Sequence, residues 1–253
     1  MKILVTFALE NEFAPWRKMR RFQRACVDAW DHTYVAKVGP ADVRVVLTGA
    51  GRFAVQQSLR NAFDQAPDVC IVSGLAGALK PDYRPGAILA ARTVADLYGT
   101  RLMRGDGELI SKAGECGARI VEKFLVSDRV VSTADEKKAL GASGDAVDME
   151  SLYILAAAAH SDVPAVAIRA ISDDVGSNLP LDFDRTFNER GAVSVPRVLK
   201  QLVARPHRIG GLIRLAHESE RAAAALAGFL DAYVQRVTPS PLPEIAKAEA
   251  LAI

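Results

Sequence analysis

Carboxylate side chains occur at three points where the chain passes from one predicted element to the next. Glu10 and Glu12 follow a short apolar run at the amino terminus. Glu150 opens an alanine-rich segment, and Asp173 directly follows another apolar run. Grouped carboxyl side chains can act as a general acid, as a general base and as oxygen acceptors that hold a ligand's hydroxyl groups. Glu12, Glu150 and Asp173 could supply these groups if the fold brings them together.

The elements that must position these side chains alternate between strands and helices. Short apolar runs predict strands, and longer segments of high helix propensity predict helices. The predicted strands are Met1–Leu9, Arg44–Leu47, Val69–Val72, Ala87–Val94, Phe124–Ser132 and Ala165–Ile171, and the predicted helices include Phe53–Phe63 and Met149–His160. This alternation predicts an α/β fold, a three-layer α/β/α sandwich with a central mixed, mostly parallel sheet. Ligands of such sheets bind at the carboxyl ends of the strands.

Composition limits the function classes. The 253 residues suit one domain with a substantial core, and a formal net charge of +2 gives no electrostatic reason to bind nucleic acid. Three separated cysteines and four unpaired histidines indicate no disulfide framework and no metal site, and no bound cofactor is expected. The apolar amino terminus is short for a secretory signal, and no run approaches the roughly 20 apolar residues of a membrane span. We therefore expect a cytoplasmic protein with a small-molecule ligand.

Three segments resemble the methylthioadenosine/S-adenosylhomocysteine nucleosidases of the nucleoside phosphorylase superfamily. Ala8–Glu12 is similar to their A-[ML]-E-x-E element, Val147–Ser151 to their V-E-M-E-[AG] element, and Arg169–Asp173 to their R-x-[IV]-S-D element. The glycine-containing segments Thr48–Arg52 and Ser73–Gly77 are weaker matches to two family loops. The order of these segments extends the resemblance over about residues 1–195, and it implies the family's fold.

The resemblance also implies roles for individual residues. It makes Asp173 the general acid for the purine N7, Glu12 the base that activates water, and Glu150 the acceptor for the ribose hydroxyls. Met149 would pack against the sugar, and Ser172 and Arg169 would orient the segment that carries Asp173. The remaining expected substrate-binding residues are Ala50, Gly74, Leu75, Ala76, Gly77, Val130, Val131 and Phe183.

Simpler interpretations of the same residues remain open. Glu10 and Glu12 could be acids of a first helical turn, and Asp173 could be an ordinary cap or turn residue. The glycines at 49, 51, 74 and 77 could belong to plain turns. A phosphate-dependent phosphorylase and a non-catalytic nucleoside-binding protein are the alternative functions. A glutamate at the position of Glu12 favours water over a phosphate dianion.

The carboxyl-terminal region differs from the rest of the chain. We expect residues 1–195 to form the catalytic domain and residues 196–253 an amphipathic helical extension on it, in two pieces divided near Pro206 and the Gly210–Gly211 pair. The extension resembles that of the hopanoid-associated phosphorylase-like group, which implies adenosylhopane as substrate, ahead of methylthioadenosine or S-adenosylhomocysteine. Its helices are expected to serve homodimer packing or peripheral contact with a membrane. Ala50 and Leu75 depart from the nucleosidase pattern, which also suggests an altered 5′ pocket.

Overall fold

The computed structural model describes residues 1–25, 32–183, 186, 194, 197–198, 201 and 206–238. Strands alternate with helices along the chain. The strands are β1 (Lys2–Phe7), β2 (Gln23–Ala25), β3 (Thr33–Val38), β4 (Ala41–Leu47), β5 (Val69–Val72), β6 (Leu75–Ala78), β7 (Ile88–Asp96), β8 (Leu102–Arg104), β9 (Arg119–Val126), β10 (Ala146–Asp148) and β11 (Ala165–Asp173). The helices are α1 (Glu10–Arg20), α2 (Arg52–Ser58), α3 (Gly107–Glu115), α4 (Ala134–Leu140), α5 (Ser151–His160) and α6 (Ile209–Val237).

The strands form one mixed sheet with helices on both faces. Within the described residues the order is β2-β3-β4-β1-β5-β11-β6-β10-β9-β7-β8, and β7 also pairs with β11, which closes β11, β6, β10, β9 and β7 into a ring. Apolar side chains of α1, α3 and α6 pack on one face, and those of α2 and α5 pack on the other. The predicted three-layer α/β fold with a mixed sheet is confirmed.

The central strands bring distant segments to one edge. β1, β5 and β11 are parallel neighbours, so their carboxyl ends lie side by side. Gly77 of β6 pairs with Val147 of β10 on one side and with Asp173 of β11 on the other. A side chain at Gly77 would crowd this junction, since an added Cβ would lie 3.2 Å from Asp173 Oδ2. Pairing thus places the segment before Glu150 one strand away from the end of β11, with β6 between them.

The carboxyl-terminal helix differs from the prediction at the Gly210–Gly211 pair, whereas most of the first predicted helical piece lies outside the described residues. A 3₁₀ turn (Pro206–Arg208) leads into α6, which continues through Gly210 and Gly211. Glycine costs a helix about 1 kcal/mol, but α6 buries Leu226, Leu230 and Tyr233 in the core, and this packing outweighs the local preference. The proposed boundary between residues 195 and 196 lies outside the described residues.

Other differences concern short elements. Ser73–Gly77, predicted as a glycine loop, is largely the strand β6, because its backbone pairs with both β10 and β11. The polar segment Thr133–Gly144 contains α4, whose first turn is capped by the Thr133 hydroxyl. The sequence analysis also missed β2, β3, β8, β10 and α3. None of the helices in the described part of the chain has the length and apolar character needed to cross a bilayer.

Candidate active site

A cavity of about 250 Å³ opens at the edge where the central strands end. Its lining includes Glu12, Glu150 and Asp173, so the fold brings together the three carboxylates that lie far apart in the sequence. The other predicted residues in the lining are Ala50, Leu75, Ala76, Gly77, Val130, Val131, Met149, Ser172 and Phe183. Gly74 and Arg169 are the two predicted residues that do not line it.

Glu12 is held at the beginning of α1 by backbone N–H groups. Its Oε2 accepts from Ala8 at 3.0 Å and from Leu9 at 3.3 Å, and its Oε1 accepts from Leu75 at 3.4 Å. Burial raises the pKa of the Glu12 carboxyl, although Arg169 and these three amides oppose the rise. A carboxylate with a raised pKa is better matched to removing a proton at neutral pH than an exposed glutamate.

Glu150 occupies the N-cap position of α5. Its Oε1 accepts from the backbone N–H of Gly51 at 3.0 Å, which joins the first glycine-containing segment to the cavity. Burial raises the pKa of Glu150 to about 8, with Asp148 and Glu12 acting in the same direction and Arg169 acting against them. Glu150 therefore presents a nearly desolvated oxygen acceptor to the cavity.

Arg169, which was expected to orient the segment that carries Asp173, lies beneath the cavity and is fully buried. Its Nε lies 2.9 Å from Asp148 Oδ2, its Nη2 lies 3.6 Å from Glu150 Oε2, and its Nη1 donates to the carbonyl of Ser73 at 3.1 Å. One guanidinium thus partly balances several buried carboxylates. Arg169 is fixed below the pocket, where it supports the residues that line it.

Gly74 makes this position of Arg169 possible. Its φ is +144°, and an added Cβ would lie 2.2 Å from Arg169 Nη1. Gly74 therefore gives room to the guanidinium, and it is not among the residues that line the cavity. Asp148, which the sequence analysis did not select, accepts hydrogen bonds at 2.9 Å from the backbone N–H groups of Glu150 and Ser151 and so fixes the start of α5. The sequence analysis selected Glu150 of the same motif and assigned no role to Asp148.

Asp173 is the last residue of β11, and both of its carboxyl oxygens have partners. The Ser172 hydroxyl donates to Oδ1 at 2.6 Å, and Oδ2 forms an ion pair with Lys137 of α4. Ser172, which was expected to orient this segment, thus contacts the Asp173 carboxyl directly. Lys137 was missed because it lies in a polar run, Asp135–Lys138, where a lysine ordinarily faces solvent.

The remaining walls are mostly apolar. Leu179, Phe183 and Leu215 add apolar surface, and Leu215 and Ser219 belong to the first half of α6. The carboxyl-terminal helix therefore contributes to the cavity itself as well as to the core. A flat, uncharged base would find apolar contacts here, while its sugar would find oxygen acceptors.

The cavity offers little positive charge to an anion. Arg129 is the one lysine or arginine among the described lining residues, and it is ion-paired with Glu136. Arg52, at the end of the first glycine-containing segment, lies over the Tyr153 ring, with its Cζ 5.7 Å from the ring centroid. Across the described residues, no group of histidine, cysteine, aspartate and glutamate is arranged to hold a metal ion. The arrangement suits acid–base chemistry on a neutral or cationic ligand.

Comparisons with known proteins agree with the resemblance. Residues 124–204 match the model of the phosphorylase superfamily. The 5′-methylthioadenosine/S-adenosylhomocysteine nucleosidase of Anoxybacillus flavithermus is 24% identical over 228 residues, which cover 80% of this chain and 98% of that protein.

Solved structures with the same fold include two Helicobacter pylori enzymes. Its 5′-methylthioadenosine/S-adenosylhomocysteine nucleosidase aligns with a TM-score of 0.73 at 15% identity, covering 94% of this chain and 99% of that one. Its futalosine hydrolase aligns with a TM-score of 0.73 at 15% identity, covering 94% and 98%. The resemblance to the nucleosidase branch of the superfamily is confirmed, and the relatives are of the predicted enzyme class.

Proposed function

We propose that this protein hydrolyses the N-glycosidic bond of an adenosyl compound and releases adenine. The observation that supports the proposal most strongly is the meeting of Glu12, Glu150 and Asp173 around one cavity. These side chains come from the start of α1, the start of α5 and the end of β11. Structural carboxylates serving three separate helix or strand ends would have no reason to share a cavity wall.

Each carboxylate has an environment that suits a different step. Asp173 gives a proton to N7 of the departing base, so that the base leaves as a neutral molecule. Glu12, buried with a raised pKa, takes a proton from the attacking water. Glu150 accepts hydrogen bonds from the ribose hydroxyls, and Met149 packs against the sugar. The backbone of Val130 and Val131 contacts the edge of the base.

Water is the proposed nucleophile because of the charge at the site. A phosphate dianion approaching Glu12 would meet a buried carboxylate. The Arg129 guanidinium is engaged by Glu136, and Arg52 is directed toward Tyr153. A neutral water molecule meets no such repulsion and can lose its proton to Glu12.

A large apolar 5′ group is the finer part of the proposal, with adenosylhopane as the specific substrate. Leu179, Phe183 and Leu215 line the cavity, and Ile209 and Ile213 of the same helix α6 are 45% and 54% exposed. An apolar 5′ chain leaving the cavity past Leu215 could cover these exposed side chains. We propose the same surface as the site of membrane contact. Homodimerisation is a separate proposal.

The test is to incubate the purified protein with methylthioadenosine, S-adenosylhomocysteine, adenosine and an adenosyl-lipid extract, with and without phosphate. We expect free adenine, a reducing sugar product and no acceleration by phosphate, with fastest release from the lipid. Formation of a sugar 1-phosphate would instead identify a phosphorylase. Binding of these compounds without release of adenine would identify a nucleoside-binding protein and contradict the proposal.

A further inference from the structure

Lys137 of α4 is a lysine with no exposed side-chain surface. Its ammonium contacts Asp173 Oδ2, the carbonyl oxygen of Ser177 at 2.9 Å and that of Asp174 at 3.2 Å. A lysine ammonium has three hydrogens to donate, and three oxygens surround it here. All three acceptors come from Asp173 and the segment that follows it, so one side chain holds the whole end of β11.

Two further contacts join α4 to the same segment. The backbone N–H of Ala134 donates to Asn178 Oδ1 at 2.7 Å, and the backbone N–H of Leu179 donates to the carbonyl oxygen of Ser132 at 2.8 Å. The chain at the start of α4 and the chain after Asp173 are therefore tied together by these two hydrogen bonds as well as by the lysine. Movement of α4 would carry the Asp173 carboxyl with it.

The stability of the fold alone is a weak explanation for a buried lysine at position 137. Burying an ion pair removes two charges from water, and well-packed apolar side chains of similar volume are often at least as stabilising. An apolar residue on α4 would fill the space, but it would leave Asp173 Oδ2 without a partner. The pair is better explained by what it does to Asp173, whose other oxygen already receives the Ser172 hydroxyl.

We propose that Lys137 is a positioning residue that acts through Asp173. This inference rests on the proposed function. Lys137 fixes the carboxyl so that it faces the leaving base, and its positive charge stabilises the carboxylate left after proton transfer. The ion pair with Lys137 corresponds to the site after proton transfer. In the transfer itself the O–H bond of protonated Asp173 breaks, an N–H bond forms on the base, and the electron pair stays on the Asp173 oxygen.

The test compares Lys137→Met with Lys138→Met, a change to the neighbouring exposed lysine of the same helix. We expect Lys137→Met to lower kcat at least about 10-fold, part of the roughly 10²- to 10⁴-fold that a general acid contributes. KM should stay within about 3-fold of the wild-type value because substrate contacts are unchanged. Lys138→Met should behave as wild type.

A double-mutant cycle separates this role from a structural one. In an Asp173→Asn background, Lys137→Met should lower kcat no further, because the group through which the lysine acts is absent. Equal losses in the two backgrounds would overturn the inference, and so would wild-type kcat in folded Lys137→Met. If Lys137→Met does not unfold cooperatively, Lys137→Gln, which keeps donors for the carbonyl oxygens, is measured with the same expectation. A wild-type protein that releases no base would overturn the proposed function and this inference with it.

Discussion

Replacing Glu150 with glutamine should change how the stability of the protein depends on pH. Burial raises the pKa of Glu150 to about 8 from its ordinary 4.5. Between these values the folded protein keeps a proton that the unfolded chain has released, so stability falls as pH rises. The slope for one group is about 1.4 kcal/mol per pH unit. From pH 5 to pH 8 the Glu150 contribution therefore declines by about 4 kcal/mol at most.

Glutamine has nearly the same shape but does not titrate, so Glu150→Gln should lack this decline. The assay is urea unfolding at pH 5, 6, 7 and 8, with the free energy of unfolding compared between wild type and variant at each pH. Glu122→Gln, a change to a glutamate whose side chain is 81% exposed, is the control and should follow wild type. Because Glu12 also titrates with a raised pKa, the difference between the two proteins is the informative quantity. A wild-type curve parallel to that of Glu150→Gln would refute the reasoning.

Three further variants test the packing around the cavity. Gly74→Ala should lower the free energy of unfolding by about 2 to 5 kcal/mol, because its Cβ would meet Arg169 Nη1. Gly107→Ala, with open space around the position, should stay within about 1 kcal/mol of wild type. Arg169→Met should cost about 3 to 5 kcal/mol in urea unfolding because buried carboxylates lose their counterion, whereas Arg92→Met on the surface should cost less than about 1 kcal/mol. Leu215→Asp should raise KM about 10-fold or more for a substrate with an apolar 5′ group and leave that for adenosine nearly unchanged. Destabilisation by Gly107→Ala as large as by Gly74→Ala, equal costs for the two arginine changes, or equal KM shifts for both substrates would contradict these expectations.

The positions of Glu12 and Asp173 at the ends of strands could be predicted because simple rules govern them, whereas Glu150 opens a helix and received its role from the resemblance. Apolar runs followed by polar residues gave the ends of β1 and β11, and parallel neighbours place such ends at one edge of a sheet. The same reasoning gave no role to Asp148, since its contacts with Arg169 and the start of α5 depend on pairing between β10 and β6. That pairing joins a three-residue strand to a segment that was predicted to be a loop.

The burial of Lys137 could not be predicted from the sequence around it. Its neighbours Glu136 and Lys138 are charged, and a polar run ordinarily predicts a solvated surface. Its burial depends on oxygens from residues 173–177, which are supplied by a distant segment. In the same way, Gly210 and Gly211 suggested a break, but burial further along α6 decided that the helix continues. Tertiary contacts of this kind leave no local pattern.

The most direct test of the central claim is the rate of adenine release by Asp173→Asn beside Asp174→Asn. The side chain of Asp174 accepts from the backbone N–H of Gly176 and the Ser177 hydroxyl, both at 2.9 Å, and asparagine can accept similarly. We predict that folded Asp173→Asn loses about 10²- to 10⁴-fold in kcat, whereas Asp174→Asn stays within about 3-fold of wild type. Full activity in folded Asp173→Asn would contradict the account.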